Sequence, residues 1–271
     1  MDFVSTLLNP KGYLFWLVVV SAVCWLFERI VPWRKTQSWP RTDLGQDLFY
    51  LIFNGQFAGL GIAWIAVPLV RYVLSGFNAL GLPRPNELNL LSGSPLLVQF
   101  GVYFILKDFL EYAIHYQLHA RSWLWPFHKL HHSLVTMDWI GNFRFHWMEI
   151  AVYRTLSWLP LVILGVQWNV LLPIAVISTL VGHLNHSNVR ISWGPLRYIF
   201  NSARMHIWHH DYILHHPNGQ NFAVVFSLWD WLFGTAYFPF SEEGPERLGF
   251  PGMETFPRSL LSRLLYPVMR R

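Results

Sequence analysis

Ten of the chain's thirteen histidines fall into four clusters at metal-ligand spacing. His115 and His119 form HxxxH, His128, His131 and His132 form HxxHH, His183 and His186 form HxxH, and His206, His209 and His210 repeat HxxHH. On a helix, positions i, i+3 and i+4 share one face, so each cluster can aim its imidazoles at one point. Neutral imidazole is a ligand for iron, zinc, copper and nickel. Ten imidazoles exceed what one ion of four to six ligands can use, so the natural stoichiometry is two metals in one histidine cage. Such a cage can leave positions open for dioxygen or water. Asp108 and Glu111 precede His115 on the same helical face, where a carboxylate can fix a histidine's tautomer from its non-ligating nitrogen. Lys107 and Glu111, at i and i+4, can equally form an ordinary ion pair.

Taken singly, a histidine is more often a satisfied polar side chain than a ligand, and only the clustering overturns that reading. His146, just ahead of an apolar run, reads as either a structural residue or one that supports a metal ligand from behind. His215 and His216 precede Pro217-Asn218-Gly219, a turn signal, and read as loop residues.

The elements that must position the clusters belong to a membrane protein. The chain is 53% hydrophobic and 13% charged, with 15 tryptophans. Soluble chains carry roughly 25% charged residues. Its net charge of +5 comes from scattered basic residues without a DNA-reading motif, which excludes nucleic acid as the expected partner. The lone cysteine, Cys24, lies in an apolar run, so neither disulfides nor a cysteine metal site is expected. Apolar runs cover residues 13–31, 48–74 and 95–118, with a Gly/Pro/Asn-rich loop over 76–95. The first run is followed by Glu28-Arg29 and Pro32 rather than a cleavage site, so it is expected to remain as a span. Residues 147–163 and 170–184 read as a helical hairpin.

The expected fold is all-α: one membrane domain over 1–271 with about four transmembrane helices, two of them a hairpin, beneath a cytosolic histidine-rich cap. Crossing parity brings all four clusters to one membrane face. Arg29, Arg34, Lys35, Arg41, Arg121, Lys129 and Arg144 lie on that side, against Lys11 and Arg84 opposite, which makes it the cytoplasmic side. Residues 258–271, leucines alternating with arginines, read as either a membrane-surface helix or a frayed tail.

The stretch KDFLEYAIHYQLHARSWLWPFHKLHHS over 107–133 resembles the opening motif of the fatty acid hydroxylase/sterol desaturase superfamily. Asp108, Tyr112, His115, His119, His128, His131, His132 and Ser133 stand in matching places. RFHWME over 144–149 is similar to an Arg-x-His-Pro-x-Glu element with Trp147 in place of proline. HSNV (186–189), MHIWHH (205–210) and SLWDWLFGT (227–235) resemble the later motifs, so the likeness runs over about 95–240. Tyr116 in place of arginine, the extra His183, and the insertion carrying His215 and His216 depart from the pattern and bear on substrate rather than metal.

The resemblance implies two irons held by His115, His119, His128, His131, His132, His183, His186, His206, His209 and His210, with zinc as a substitute on purification. It implies activation of O2 and oxidation of an unactivated C–H bond in a lipid drawn from the bilayer. Hydroxylation is the leading expectation, with desaturation or carotenoid oxidation on the same site as alternatives. The chain has no cysteine cluster, flavin GxGxxG or His-Pro-Gly-Gly haem motif, so a separate electron-donor protein is expected. From another class, a histidine-rich zinc transporter or store would place ionisable residues along a path through the bilayer. A zinc hydrolase would use about three protein ligands, far fewer than are offered here. A bacterial inner membrane is expected rather than the endoplasmic reticulum.

Overall fold

Apolar runs that cannot face water dictate the architecture. In the computed structural model, residues 3–88, 90–239 and 244–268 are described. Among these residues every regular element is helical, and only isolated β-bridges occur. A short α1 (Phe3–Leu7) precedes α2 (Tyr13–Ile30), whose C-terminal end carries the buried Glu28. α3 (Leu44–Ile52) passes through a π-helical turn, Phe53–Phe57, into α4 (Ala58–Ala79). α5 (Leu96–Ala120) is the central helix, followed by one turn of α6 (Trp125–His128). α7 (Trp147–Ile163) and α8 (Trp168–His186) are joined by a turn at Gly165, whose φ of +76° favours glycine. α9 (Ala203–His209), α10 (Leu228–Phe233) and α11 (Leu260–Leu265) complete the order.

The expected hairpin is present in sequence, but its arms straddle α5. α7 packs against α4 and α5, while α8 packs against α2 and α5. Near the turn they share a core in which Tyr103, Phe104, Leu161, Val170, Ile174 and Val225 meet.

Two helices, α2 and α8, are long and apolar enough to cross a membrane, and a third span exists if α3 and α4 count as one bent crossing. α5 has the length, but Lys107, Asp108 and Glu111 interrupt its apolar face, and α7 has only 17 residues. A crossing needs about 20 predominantly apolar residues.

The C-terminal ends of α2, α5 and α8 and the N-terminal ends of α3 and α7 all meet at one end of the bundle. Glu28 of α2 accepts the backbone N–H groups of Trp139 (2.8 Å) and Asn188 (2.7 Å), tying loop to loop there. Arg144 forms a two-bond clasp on Asp47 of α3, and Arg41 clasps Asp138 (2.8 and 2.6 Å). Buried charges persist only when paired in this way.

The C-terminal segment is neither frayed nor simply amphipathic. Arg263 points inward, donating to Asp43 (2.8 Å) and to the Gln46 side chain (3.0 Å) of the α3 region. Leu260 and Leu264 join a core with Tyr50, Leu130, Phe250 and Phe256. Arg263 is itself buried, and its partner Asp43 is half-buried. Residues 269–271 of the expected tail lie outside the described residues.

Candidate metal centre

The last turns of α5 bring His115 and His119 to the meeting end of the bundle. α6 and the following 3-10 turn (His131–Ser133) supply His128, His131 and His132. α8 contributes His186, and α9 with its C-cap contributes His206, His209 and His210. These nine side chains form two groups, each with one ring nitrogen per residue within 4.8 Å of the others. The first holds His115, His119, His128, His132 and His209; the second holds His131, His186, His206 and His210. Each HxxHH motif divides in the same way: its first and last histidines, at i and i+4, enter one group and its middle histidine enters the other.

The nitrogens face one another as ligands of a common ion would. His115 Nε2 lies 3.1 Å from His128 Nε2, and His119 Nε2 lies 3.1 Å from His132 Nε2. In the second group, His186 Nε2 lies 3.2 Å from His131 Nε2 and 3.3 Å from His206 Nε2. Two ligands about 2.1 Å from one ion and at right angles would stand about 3.0 Å apart.

Tautomers follow from the partners. A carbonyl can only accept, so Nδ1–H of His115 donates to the Phe222 carbonyl (2.7 Å) and that of His209 to the Gln220 carbonyl (2.7 Å). His186 Nδ1 donates to the Gly182 carbonyl (2.9 Å), and His128 Nδ1 donates to the Glu149 carboxylate (2.7 Å). In all four, Nε2 keeps its lone pair for a metal. Burial, and then the neighbouring imidazoles, hold His128, His131, His132, His206 and His210 well below the usual histidine range; burial does the same to His209. Neutral rings are the form that binds metal.

The residues fit bound metal. His209 Nε2, His131 Nδ1, His206 Nδ1 and both ring nitrogens of His210 are buried without a hydrogen-bond partner. Each such nitrogen costs about 1–3 kcal/mol. An ion offsets that cost for nitrogens aimed at it, and an all-imidazole set suits iron or zinc.

A buried irregular segment, residues 220–226, holds the first group in place, and side chains satisfy its backbone. Asp108 accepts the N–H groups of Val225 (2.9 Å) and Phe226 (3.0 Å) and the Trp229 indole N–H (2.9 Å). Asp230 accepts the N–H groups of Phe222 (2.8 Å) and Ala223 (3.0 Å), and burial pushes its carboxyl up to about 6. Asn185 donates to the Val224 carbonyl (2.7 Å), and Asn201 donates to that of Ala223 (2.6 Å). Asn221, at a φ of +57°, donates to the carbonyls of Met205 (2.9 Å) and Tyr237 (2.7 Å).

Several expectations change. Asp108 does not touch a histidine; it anchors the segment whose carbonyls do. The carboxylate on a histidine is Glu149 of RFHWME, which accepts from His128 across the loop between α6 and α7. Glu111 pairs with Lys107 (2.7 Å), the ordinary alternative, and Lys107 also donates to Ser178 (2.8 Å). His183 enters neither group. Its Nδ1 donates to the Trp139 carbonyl (3.0 Å), and Ser21 donates to its Nε2 (3.2 Å), so both ring nitrogens face α2 and the 139–142 turn. His146 caps α7, accepting from Met148 N–H and donating to the Leu264 carbonyl (2.9 Å). His215 pairs with Asp211 (2.8 Å) and stacks on Tyr237, and His216 meets the Ala236 carbonyl (3.3 Å).

Residues 100–235, half of the chain and every histidine of both groups, match the profile of the fatty acid hydroxylase family. The chain belongs to the fatty acid hydroxylase family. It is an oxidoreductase of that family, with histidine clusters that can bind metal and apolar helices that fit a membrane protein. Ornithine lipid hydroxylase OlsE of Rhizobium tropici is 28% identical over 273 residues, covering 96% of this chain and 77% of the relative. Methylsterol monooxygenase 1-1 of Arabidopsis thaliana is 28% identical over 57% of this chain and 50% of its own length. Very-long-chain aldehyde decarbonylase GL1-10 of Oryza sativa subsp. japonica is 29% identical over 72% and 64% respectively. No solved structure matches.

Proposed function

We propose that this chain is an O2-dependent two-iron hydroxylase that inserts oxygen into an unactivated C–H bond of a membrane lipid. The observation that carries the reading is the convergence of nine buried histidines into two groups at one end of an apolar bundle. His115, His119, His128, His132 and His209 would hold one iron, and His131, His186, His206 and His210 the other. The irons, when bound, supply activation of O2 and removal of hydrogen from the substrate carbon.

The chain's own work is positional. Glu149 and the carbonyls of Gln220, Phe222 and Gly182 hold four imidazoles with Nε2 turned inward. Burial keeps the rings neutral and keeps bulk water away. Hydroxylation is favoured over desaturation because relatives that align with this chain are named hydroxylase and monooxygenase. The substrate class that the longest alignment favours is an aminolipid, since that relative is named for ornithine lipid. Electrons would come from a separate donor protein. About four crossings, with the histidine end on the cytoplasmic side of a bacterial inner membrane, accord with the basic residues at that end. A histidine-rich zinc transporter is disfavoured, because the histidines gather at helix ends rather than along a path through the bundle.

The test is a comparison of total lipids, by high-resolution mass spectrometry, from bacterial cells expressing the wild type and His131→Ala. The reading expects lipid species heavier by one oxygen in the wild type alone. Species lighter by two hydrogens would replace hydroxylation with desaturation. Identical lipid profiles, with metal present in the purified wild type, would contradict lipid oxidation.

A further inference from the structure

An apolar cavity lies against α8 and the start of α9, helices that carry His186 and His206, and no histidine lines it. It measures about 210 Å³ and is walled by Val181 and Leu184 of α8, Ala203 at the start of α9, Val225, and the loop residues Trp193 and Phe200. Apolar cavities of about 150 Å³ in other proteins stay dry and take up molecules the size of benzene. We propose that this cavity is the slot for an aliphatic chain of the lipid substrate; the inference rests on the lipid-oxidation reading above and names where the chain would lie.

Position is the first argument. Ala203, on the cavity wall, stands three residues before His206, about one turn away on α9, and Ser202, the N-cap of that helix, lines the wall beside it. Asn185 lies on the wall of α8 directly before His186, so the slot runs up to the elements that carry the four-histidine group. Chemistry is the second. The side-chain donors of Asn185 and Asn201 are spent on the carbonyls of Val224 and Ala223, which leaves a wall that favours hydrocarbon over a polar ligand.

The mouth is the third. Trp193, Leu196 and Phe200 line it at 45%, 51% and 38% exposure, and the apolar surface continues over Tyr198 and Ile199. Trp193 is fixed there, with a φ of +57° and its indole N–H donated to the Asn201 carbonyl (2.8 Å). An exposed aromatic and aliphatic rim joined to an apolar interior is the path a lipid chain would take from a bilayer.

The experiment uses wild-type protein in nanodiscs of phosphatidylethanolamine, a fraction of which carries a diazirine midway along one acyl chain. Illumination is followed by peptide mapping. The proposal expects carbene insertion at Ala203 and Val225, which are 2% and 4% exposed and out of reach of a chain outside the cavity. Filling the slot with Val181→Trp or Ala203→Phe should reduce that insertion at least fivefold, while labelling of the exposed Leu97 on α5 stays constant. Insertion confined to the rim, or undiminished by filling, overturns the slot. If neither filled variant folds, the wild-type map alone decides between interior and rim. The measurement needs neither O2 nor reductant. Its failure would therefore remove the slot while leaving lipid oxidation to stand or fall on the lipid comparison.

Discussion

The five-histidine and four-histidine groups are built from the same motif and held in opposite ways. In the first, His115, His128 and His209 each rest an Nδ1–H on a buried protein acceptor, and two of those acceptors belong to the tethered 220–226 segment. In the second, only His186 has such a support, while His131 Nδ1, His206 Nδ1 and both nitrogens of His210 meet no partner. The first group is organised by the protein before any metal arrives. The second leaves more ring nitrogens without a protein partner, and α8 and α9, which carry most of it, also wall the apolar cavity. A site with fewer ligands and fewer supports has more freedom to leave a coordination position open.

The sharpest way to break this comparison is to cut the segment that supports the first group. Asp108→Ala leaves three N–H groups without their acceptor, that of Val225 buried and those of Phe226 and the Trp229 indole half-buried, at about 1–3 kcal/mol for each that water cannot reach. Thermal or denaturant unfolding of the metal-free protein should show a loss of about 3 kcal/mol or more, and a loss below about 1 kcal/mol would mean that the segment is held by packing. Glu149→Gln is narrower. It replaces the carboxyl acceptor behind His128 with an amide and should weaken metal at the five-histidine group about 10–100-fold in competitive titration, leaving the other group unchanged.

Acid treats the two groups alike. His128, His131, His132, His206, His209 and His210 are all held well below their ordinary 6.5, so below that pH the unfolded chain takes up protons that the folded chain refuses. The metal-free protein should therefore lose stability steadily as pH falls from about 6.5 toward 5, read as a falling melting temperature. A flat profile would mean that the rings are not buried as described. His183→Ala should have the smallest effect on metal: both ions retained, with about 2–4 kcal/mol of stability lost as a fully buried ring and its hydrogen bonds are removed.

The sequence made the metal chemistry legible and left its partition hidden. Spacing alone identifies HxxHH as a ligand motif but not its partition: in the 128–132 turn and along α9 alike, the middle histidine joins the other group, which only the convergence of the two segments sets. His183 follows the same helical spacing as its neighbours, and only the packing of α8 on α2 turns it toward Ser21. Asp108 shares a helical face with His115, yet seven residues separate them by about 10 Å along the axis, too far for a hydrogen bond. Glu149 reaches His128 across a loop, which no local periodicity encodes. The convergence of the clusters at one end was readable from the order of apolar runs. The count of crossings was less so, because Lys107, Asp108 and Glu111 find buried partners that composition cannot foresee.

The most direct measurement is elemental analysis of anaerobically purified wild type, His128→Ala and His131→Ala. The account predicts two metal ions per chain in the wild type and close to one in each variant, because each substitution opens a different group. One ion or none in the wild type, or a content that neither substitution changes, would contradict two separate histidine groups.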